Sequence, residues 1–119
     1  MKFKVCTYTN RDTYLEDLNF SYKAFYDGDI FVLKQNKNIY DNFYDLIDLI
    51  PTLFKDYDYI LVVDDDMRFL SSETIPNTIK FMESNNISLC GTYMSNTTLV
   101  YKDSSTEIEA LKYLKPMLN

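Results

Sequence analysis

The sequence contains no histidine. That absence excludes a Ser-His or Cys-His nucleophile system and a His-ligated zinc site. Cysteine is nearly absent as well. Cys6 and Cys90 are the only two, and both fall in stretches that read as strands. They are expected to be buried thiols in a reducing compartment rather than a disulfide. No stretch approaches membrane-spanning length, and the N-terminus, M-K-F-K-V-C-T-Y, carries no apolar signal segment. A cytoplasmic protein without a transmembrane segment is expected. Positive charge is also in deficit: 12 Lys and Arg stand against 18 Asp and Glu, a net charge of -6. The deficit argues against a nucleic-acid backbone as the main partner. It leaves open a nucleotide bound through a metal. Glycine is scarce and Asn, Lys, Ile, Tyr and Asp are common, a bias that suggests an AT-rich genome and carries little about function. Internal repeats, low-complexity tracts and linkers are missing too.

What is present suits one domain. A chain of 119 residues has room for a single real core, and 46% apolar with 25% charged residues is ordinary for a globular protein. Lys2 to Tyr8 alternates around Phe3, Val5 and Cys6 and predicts a first strand. After the polar loop Thr9 to Asp12, Leu15, Leu18, Tyr22 and Phe25 recur at helical spacing. They predict a helix from Thr13 to Phe25, capped by Asp12 or Thr13. Asp27-Gly28 ends it, and Ile30 to Leu33 predicts a second strand. Ile39 to Phe54 is helical in pattern, with Pro51 expected to interrupt it and start a short second piece. Tyr22, Tyr40 and Tyr44 are expected as core or half-buried contacts. A third strand, Tyr59 to Val63, completes a β-α-β-α-β order, the pattern of a parallel sheet. A helix from Glu73 to Glu83 follows, with Pro76 in its first turn. Ile87 to Tyr93 predicts a fourth strand, where Gly91 suggests a bulge or a close approach. After a turn at Ser95-Asn96, Thr97 to Tyr101 predicts a fifth. Ser104 to Glu107 fits a capping box for a last helix ending near Leu114. The fold class expected is α/β: one domain over residues 1–119, with a mainly parallel central sheet and helices on both faces.

The chain is organised around Y-D-Y-I-L-V-V-D-D-D-M-R-F, Tyr57 to Phe69. Ile60, Leu61, Val62 and Val63 form a continuous apolar run, as a strand buried on both faces requires. The run stops at Asp64, Asp65 and Asp66. In open α/β sheets, ligands sit beyond the carboxyl ends of the strands. Three adjacent carboxylates repel one another, and a divalent cation with hard oxygen ligands relieves that repulsion. Side chains alternate along an extended chain, so Asp64 and Asp66 point one way and Asp65 the other. The plain alternative is a solvated acidic turn with Arg68 as its counter-ion. Arg11 is open between pairing with a phosphate and pairing with Asp12 or Glu16.

These residues resemble a known family. The chain is similar to the nucleotide-binding half of a GT-A glycosyltransferase, near the family 2 type. V-C-T-Y-T-N-R-D-T-Y-L, Val5 to Leu15, resembles the family's opening strand and its N-R loop. D-Y-D-Y-I-L-V-V-D-D-D-M-R-F resembles its strand ending in the D-x-D motif. The resemblance implies that Asp64 and Asp66 hold Mn²⁺ or Mg²⁺ against the diphosphate of a UDP- or GDP-linked sugar. Asp66 is then the principal ligand and Asp64 contacts metal or ribose, and Asp65 replaces either if the register is shifted. Thr9, Asn10 and Arg11 would lie beside the nucleotide. The metal would stabilise the leaving nucleoside diphosphate as a Lewis acid.

The loop Lys34-Gln35-Asn36 departs from the family by lacking an acidic residue, and full transferases of this kind are considerably longer. The resemblance assigns no catalytic base. It implies a minimal enzyme, a degenerate relative, or a donor-binding half whose acceptor site a second copy or partner chain completes. Asp103, Glu107 and Glu109 read as structural, in a capping context.

Other readings draw on the same motif. I-L-V-V-D-D-D also resembles the first strand of a response-regulator receiver, where it would come near the N-terminus. A haloacid-dehalogenase phosphatase follows D-x-D with Thr or Val, where this chain has Arg68. A non-catalytic α/β interaction domain needs only an incidental acidic loop.

Overall fold

A computed structural model, which describes residues 2–91 and 99–102, bears out the α/β class. The elements in chain order are β1 (Phe3–Thr9), α1 (Leu15–Phe25), β2 (Phe31–Lys34), α2 (Ile39–Leu53), β3 (Tyr59–Val63), α3 (Thr74–Ser84), β4 (Leu89–Gly91) and β5 (Leu99–Lys102). The strands form one sheet in the order β2-β1-β3-β5-β4. β1 pairs in parallel with β2 on one side and with β3 on the other, the second pairing running from Phe3↔Tyr59 to Thr7↔Val63. β5 runs antiparallel between β3 and β4, so β4 points the same way as the first three strands.

β3 is therefore internal, as its apolar run predicts, and all five of its residues are buried. Alternation divides it between two cores. Leu61 and Val63 pack with Val5, with Leu18 and Tyr22 of α1, and with Ile75, Ile79 and Met82 of α3. Ile60 and Val62 pack on the other face with Cys6 and with Leu46, Ile47 and Ile50 of α2. Each fully buried side chain of this kind is worth roughly 1.5–3 kcal/mol. The Tyr59 hydroxyl donates to Glu83 Oε1 at 2.9 Å and so pins the end of α3 to β3.

Several local expectations are corrected. α1 begins at an N-cap Tyr14 that makes no side-chain cap bond. The Asp12 carboxylate instead pairs with Lys34 Nζ at 2.6 Å, because β1 and β2 bring their ends together. α2 continues through Pro51 to Leu53. Pro51 falls in the last turn, where few further bonds depend on it, and Leu46, Ile47 and Ile50 anchor the turn before it. Asn38, just before α2, caps it by accepting from the Tyr40 N–H at 2.8 Å. Pro76 is the third residue of α3, where an N–H would lack a helical partner anyway. Gly28 has φ 86, a left-handed conformation suited to glycine in the turn before β2. The β4–β5 ladder stays in step from Leu89↔Tyr101 to Gly91↔Leu99, so it holds no bulge among the described residues, and the chain beyond Gly91, up to Leu99, lies outside them. Tyr22 and Tyr44 are buried, but Tyr40 is exposed. The expected turn at Ser95-Asn96, the ends of the fourth and fifth strands at Tyr93, Thr97 and Thr98, the capping box at Ser104 to Glu107 with its helix, and Asp103 and Glu109 lie outside the described residues.

Cys6 and Cys90 are not joined by a disulfide. Cys6 packs on the α2 side and Cys90 against the α1 and α3 side, with β3 and β5 between their strands. Among the described residues, no helix is long and apolar enough to cross a membrane.

Three outcomes follow from this packing. Ile60→Ala, at a residue with no exposure, should cost about 2–5 kcal/mol in urea unfolding. Phe20→Ala, at a residue 78% exposed, should stay within about 0.5 kcal/mol of the parent. Burial pushes the Cys6 thiol up to about 12, with the Lys4 charge opposing it weakly. Iodoacetamide should therefore label Cys6 only after unfolding, and peptide mapping with and without denaturant checks this.

Candidate functional site

Strand order reverses at β1: the chain leaves it toward β2 on one side and returns to β3 on the other. Such a reversal opens a crevice at the carboxyl ends of the two central strands. β1 delivers Tyr8 and Thr9 there, and β3 delivers the three aspartates. The alternation of the strand survives into the aspartates. The Tyr8 hydroxyl donates to Asp64 Oδ1 at 3.0 Å, on the α2 side of the sheet. The Thr9 hydroxyl lies 2.7 Å from Asp65 Oδ2, on the opposite side. The chain then turns, with the Met67 N–H reaching the Asp64 carbonyl at 3.3 Å, and leaves Asp66 exposed at the tip.

The exit from this turn is fastened to α1. The Phe69 N–H donates to Ser21 Oγ at 3.0 Å. The Tyr26 hydroxyl donates to the Ser71 carbonyl at 2.8 Å and accepts from the Ile75 N–H at 3.2 Å. Arg68 turns away from the aspartates and pairs with Asp17 at 3.6 Å.

The counter-ion comes from the other loop. Arg11 Nε donates to Asp65 Oδ2 at 3.0 Å and Nη2 donates to Asp65 Oδ1 at 3.1 Å, a two-pronged pair. The alternatives held for Arg11 within the helix start, Asp12 and Glu16, are not its partners. The Thr9 hydroxyl is also 2.7 Å from the Arg11 carbonyl and accepts from the Arg11 N–H at 3.0 Å. Its single proton is best spent on the charged acceptor, Asp65. Thr9 has no exposure and Asp65 only 7%. Burial pushes the Asp65 carboxyl up. The Arg11 fork, the Thr9 hydroxyl and the Arg11 charge together outweigh burial and hold it below the usual carboxylate value. The same bond to Asp65 raises the Arg11 guanidinium.

Tyr8, Arg11, Ile39, Asp64, Asp65 and Asp66 line a cleft of about 220 Å³. Of the residues expected beside a nucleotide, Arg11, Asp64 and Asp65 therefore reach the cleft. Thr9 lies beneath it, committed to Asp65. Asn10 turns aside, its amide donating to the Lys37 carbonyl at 3.2 Å. Tyr8 and Ile39 join the site without having been singled out. Strand alternation carried a signal for Tyr8, opposite the face of Thr9. Ile39 arrives only because α2 starts at the cleft. A larger cleft of about 430 Å³ lies at the other end of β1, walled by Phe3, Tyr22, Tyr26 and Tyr57, away from the aspartates.

Among the described residues, no group of three His, Cys, Asp or Glu side chains is arranged to hold a metal. Asp65 has both oxygens engaged by Arg11 and Thr9, and Asp64 accepts from Tyr8; Asp64 and Asp66 are the two carboxylates at the cleft that Arg11 does not pair with. Two carboxylates suit an ion of the Mg²⁺ type, which usually keeps waters and takes its remaining ligands from substrate phosphates. No family model matches the chain, and comparison with curated proteins and with solved structures returned no significant match.

The aspartates should separate by stability. Asp65→Ala loses the Arg11 and Thr9 bonds and should cost on the order of 1–3 kcal/mol. Asp66→Ala, at an exposed turn, should stay within about 0.5 kcal/mol. The Asp65 carboxyl is depressed in the folded state, so its contribution is present above the unfolded value of about 4. It is lost as pH falls through the lower folded value. The stability gap between the parent and Asp65→Asn should thus narrow between neutral pH and about pH 2. Urea melts across that range check the sign, and a constant gap would contradict it.

Proposed function

We propose that the chain is a glycosyltransferase-like domain that binds a nucleoside-diphosphate sugar through a divalent cation held by Asp64 and Asp66. One observation carries the reading: three carboxylates and a guanidinium line a cleft at the crevice between β1 and β3. That is where open α/β sheets bind ligands. The N-R loop and the D-x-D turn, the two stretches that resemble the family 2 type, form this cleft together.

The charges support a cation. Three carboxylates and one guanidinium line the cleft, which leaves two negative charges for one Mn²⁺ or Mg²⁺ to balance. When bound, the ion would stabilise charge on a leaving nucleoside diphosphate. Asp64 and Asp66 would hold it, Tyr8 would keep Asp64 oriented, and Asp65 would serve Arg11. The sugar would pass to an acceptor whose site a second copy or another chain completes. A non-catalytic domain is the second reading. The observation favouring it is that Asp65 already has its counter-ion inside the chain.

Thermal unfolding tests the proposal. A ligand that binds only the folded state adds about 2.7 kcal/mol at a hundredfold excess over its dissociation constant. Mn²⁺ should raise the melting temperature, and Mn²⁺ with UDP or GDP should raise it further. Asp66→Asn should lose most of both gains. Asp48→Asn, on the exposed side of α2, should keep them and so controls for net charge. Equal responses from the two variants would defeat the metal assignment.

A further inference from the structure

Arg11 is held more firmly than a surface counter-ion needs to be. Its Nε and Nη2 are both engaged by Asp65. Its Cζ sits 4.7 Å from the centroid of the Tyr14 ring, within range of a cation–π contact. Its own N–H is tied to Thr9. The side chain nevertheless stays 48% exposed and lines the cleft. A guanidinium carries five N–H donors. Asp65 takes two, and among the described residues nothing takes the other three. The fork is thus clamped by Asp65 along one edge, lies over the Tyr14 ring, and keeps three N–H donors beside a cleft that Asp64 and Asp66 also line.

Pairing a carboxylate as buried as Asp65 accounts for two of these donors; it does not account for the three that remain. A fixed fork with an open edge is what recognition of a phosphoryl oxygen requires. The charges choose the form of that anion. With two net negative charges in the cleft, a bare phosphate is repelled, whereas a divalent cation lying between the phosphate and the carboxylates offsets that repulsion.

We propose that Asp65 and Tyr14 are positioning residues, which hold Arg11 so that its open N–H edge grips a phosphoryl oxygen of a metal-chelated diphosphate. This rests on the reading of the cleft as a metal–diphosphate site. It assigns Asp65 to the guanidinium rather than to the metal, and it brings in Tyr14, which caps α1 with its backbone alone.

Calorimetric titration of the full chain with inorganic pyrophosphate and Mg²⁺ tests this, with melting temperature measured on each variant. Arg11→Lys keeps the charge but loses the fork, and should bind at least about tenfold more weakly. Tyr14→Leu should also weaken binding several-fold, by roughly the worth of a cation–π contact, while melting near the parent. Tyr14→Phe, which keeps the ring, should restore it. A merely structural role for the bridge would not give this rescue at unchanged melting temperature. If the parent binds Mg²⁺–pyrophosphate and Arg11→Lys or Tyr14→Leu binds it equally well, the inference is overturned while the metal–diphosphate reading stands. Arg11-dependent binding of pyrophosphate that does not need Mg²⁺ supports the clamp and overturns the metal reading. A parent that binds no pyrophosphate with or without Mg²⁺ overturns both.

Discussion

The pairing of β1 with β3 is the contact on which the rest of the molecule depends. Five residue pairs, from Phe3↔Tyr59 to Thr7↔Val63, join stretches 56 positions apart. Parallel strands cannot be joined by a tight turn, so the intervening chain must travel through α1, β2 and α2 before returning. Closing that loop costs entropy, which burial must offset. The offset is available because Ile60 to Val63 is apolar on both sides and each side has a helix layer to pack against. Strip one layer and the strand would expose half of its run.

The same pairing creates the cleft. It sets the end of β1 beside the end of β3, so that Thr9, Arg11 and Asp65 lie within hydrogen-bond distance. A carboxylate as buried as Asp65 is costly unless it is paired. The Arg11 fork and the Thr9 hydroxyl meet that requirement, and in doing so they lock the loop after β1 to the turn after β3. Asp64 and Asp66 remain directed to the cleft. Adjacent residues of one type thus receive different tasks from their surroundings: one closes the structure and two line the surface where a ligand would enter.

The sequence by itself determined the elements and their class. The apolar run Ile60 to Val63, the 3.6-residue recurrence in α1 and α2, and the period-2 pattern around Val5 are local signals, and each element stands within a residue or two of its pattern. The three aspartates were legible as the end of the central strand, because an apolar run that stops at charge marks where the chain leaves the core. Local chemistry was less dependable where long-range partners compete. Asp12 was free to cap α1, but β2 brought Lys34 to it. Pro51 should interrupt a helix, yet near its end the packing of Ile47 and Ile50 carries the chain through.

Tertiary structure alone decided the partners. Strands as close in sequence as β4 and β5 can pair only antiparallel, but nothing in the sequence inserts β5 between β3 and β4. Arg68, two residues from Asp66, was the nearest cation to the aspartates in sequence. Arg11, 54 positions from Asp65, is nearest in space, because β1 and β3 are neighbours. Sequence records which charges exist. Only the fold brings two of them to 3.0 Å, and at that distance geometry, not proximity along the chain, decides which of the three carboxylates at the cleft is neutralised.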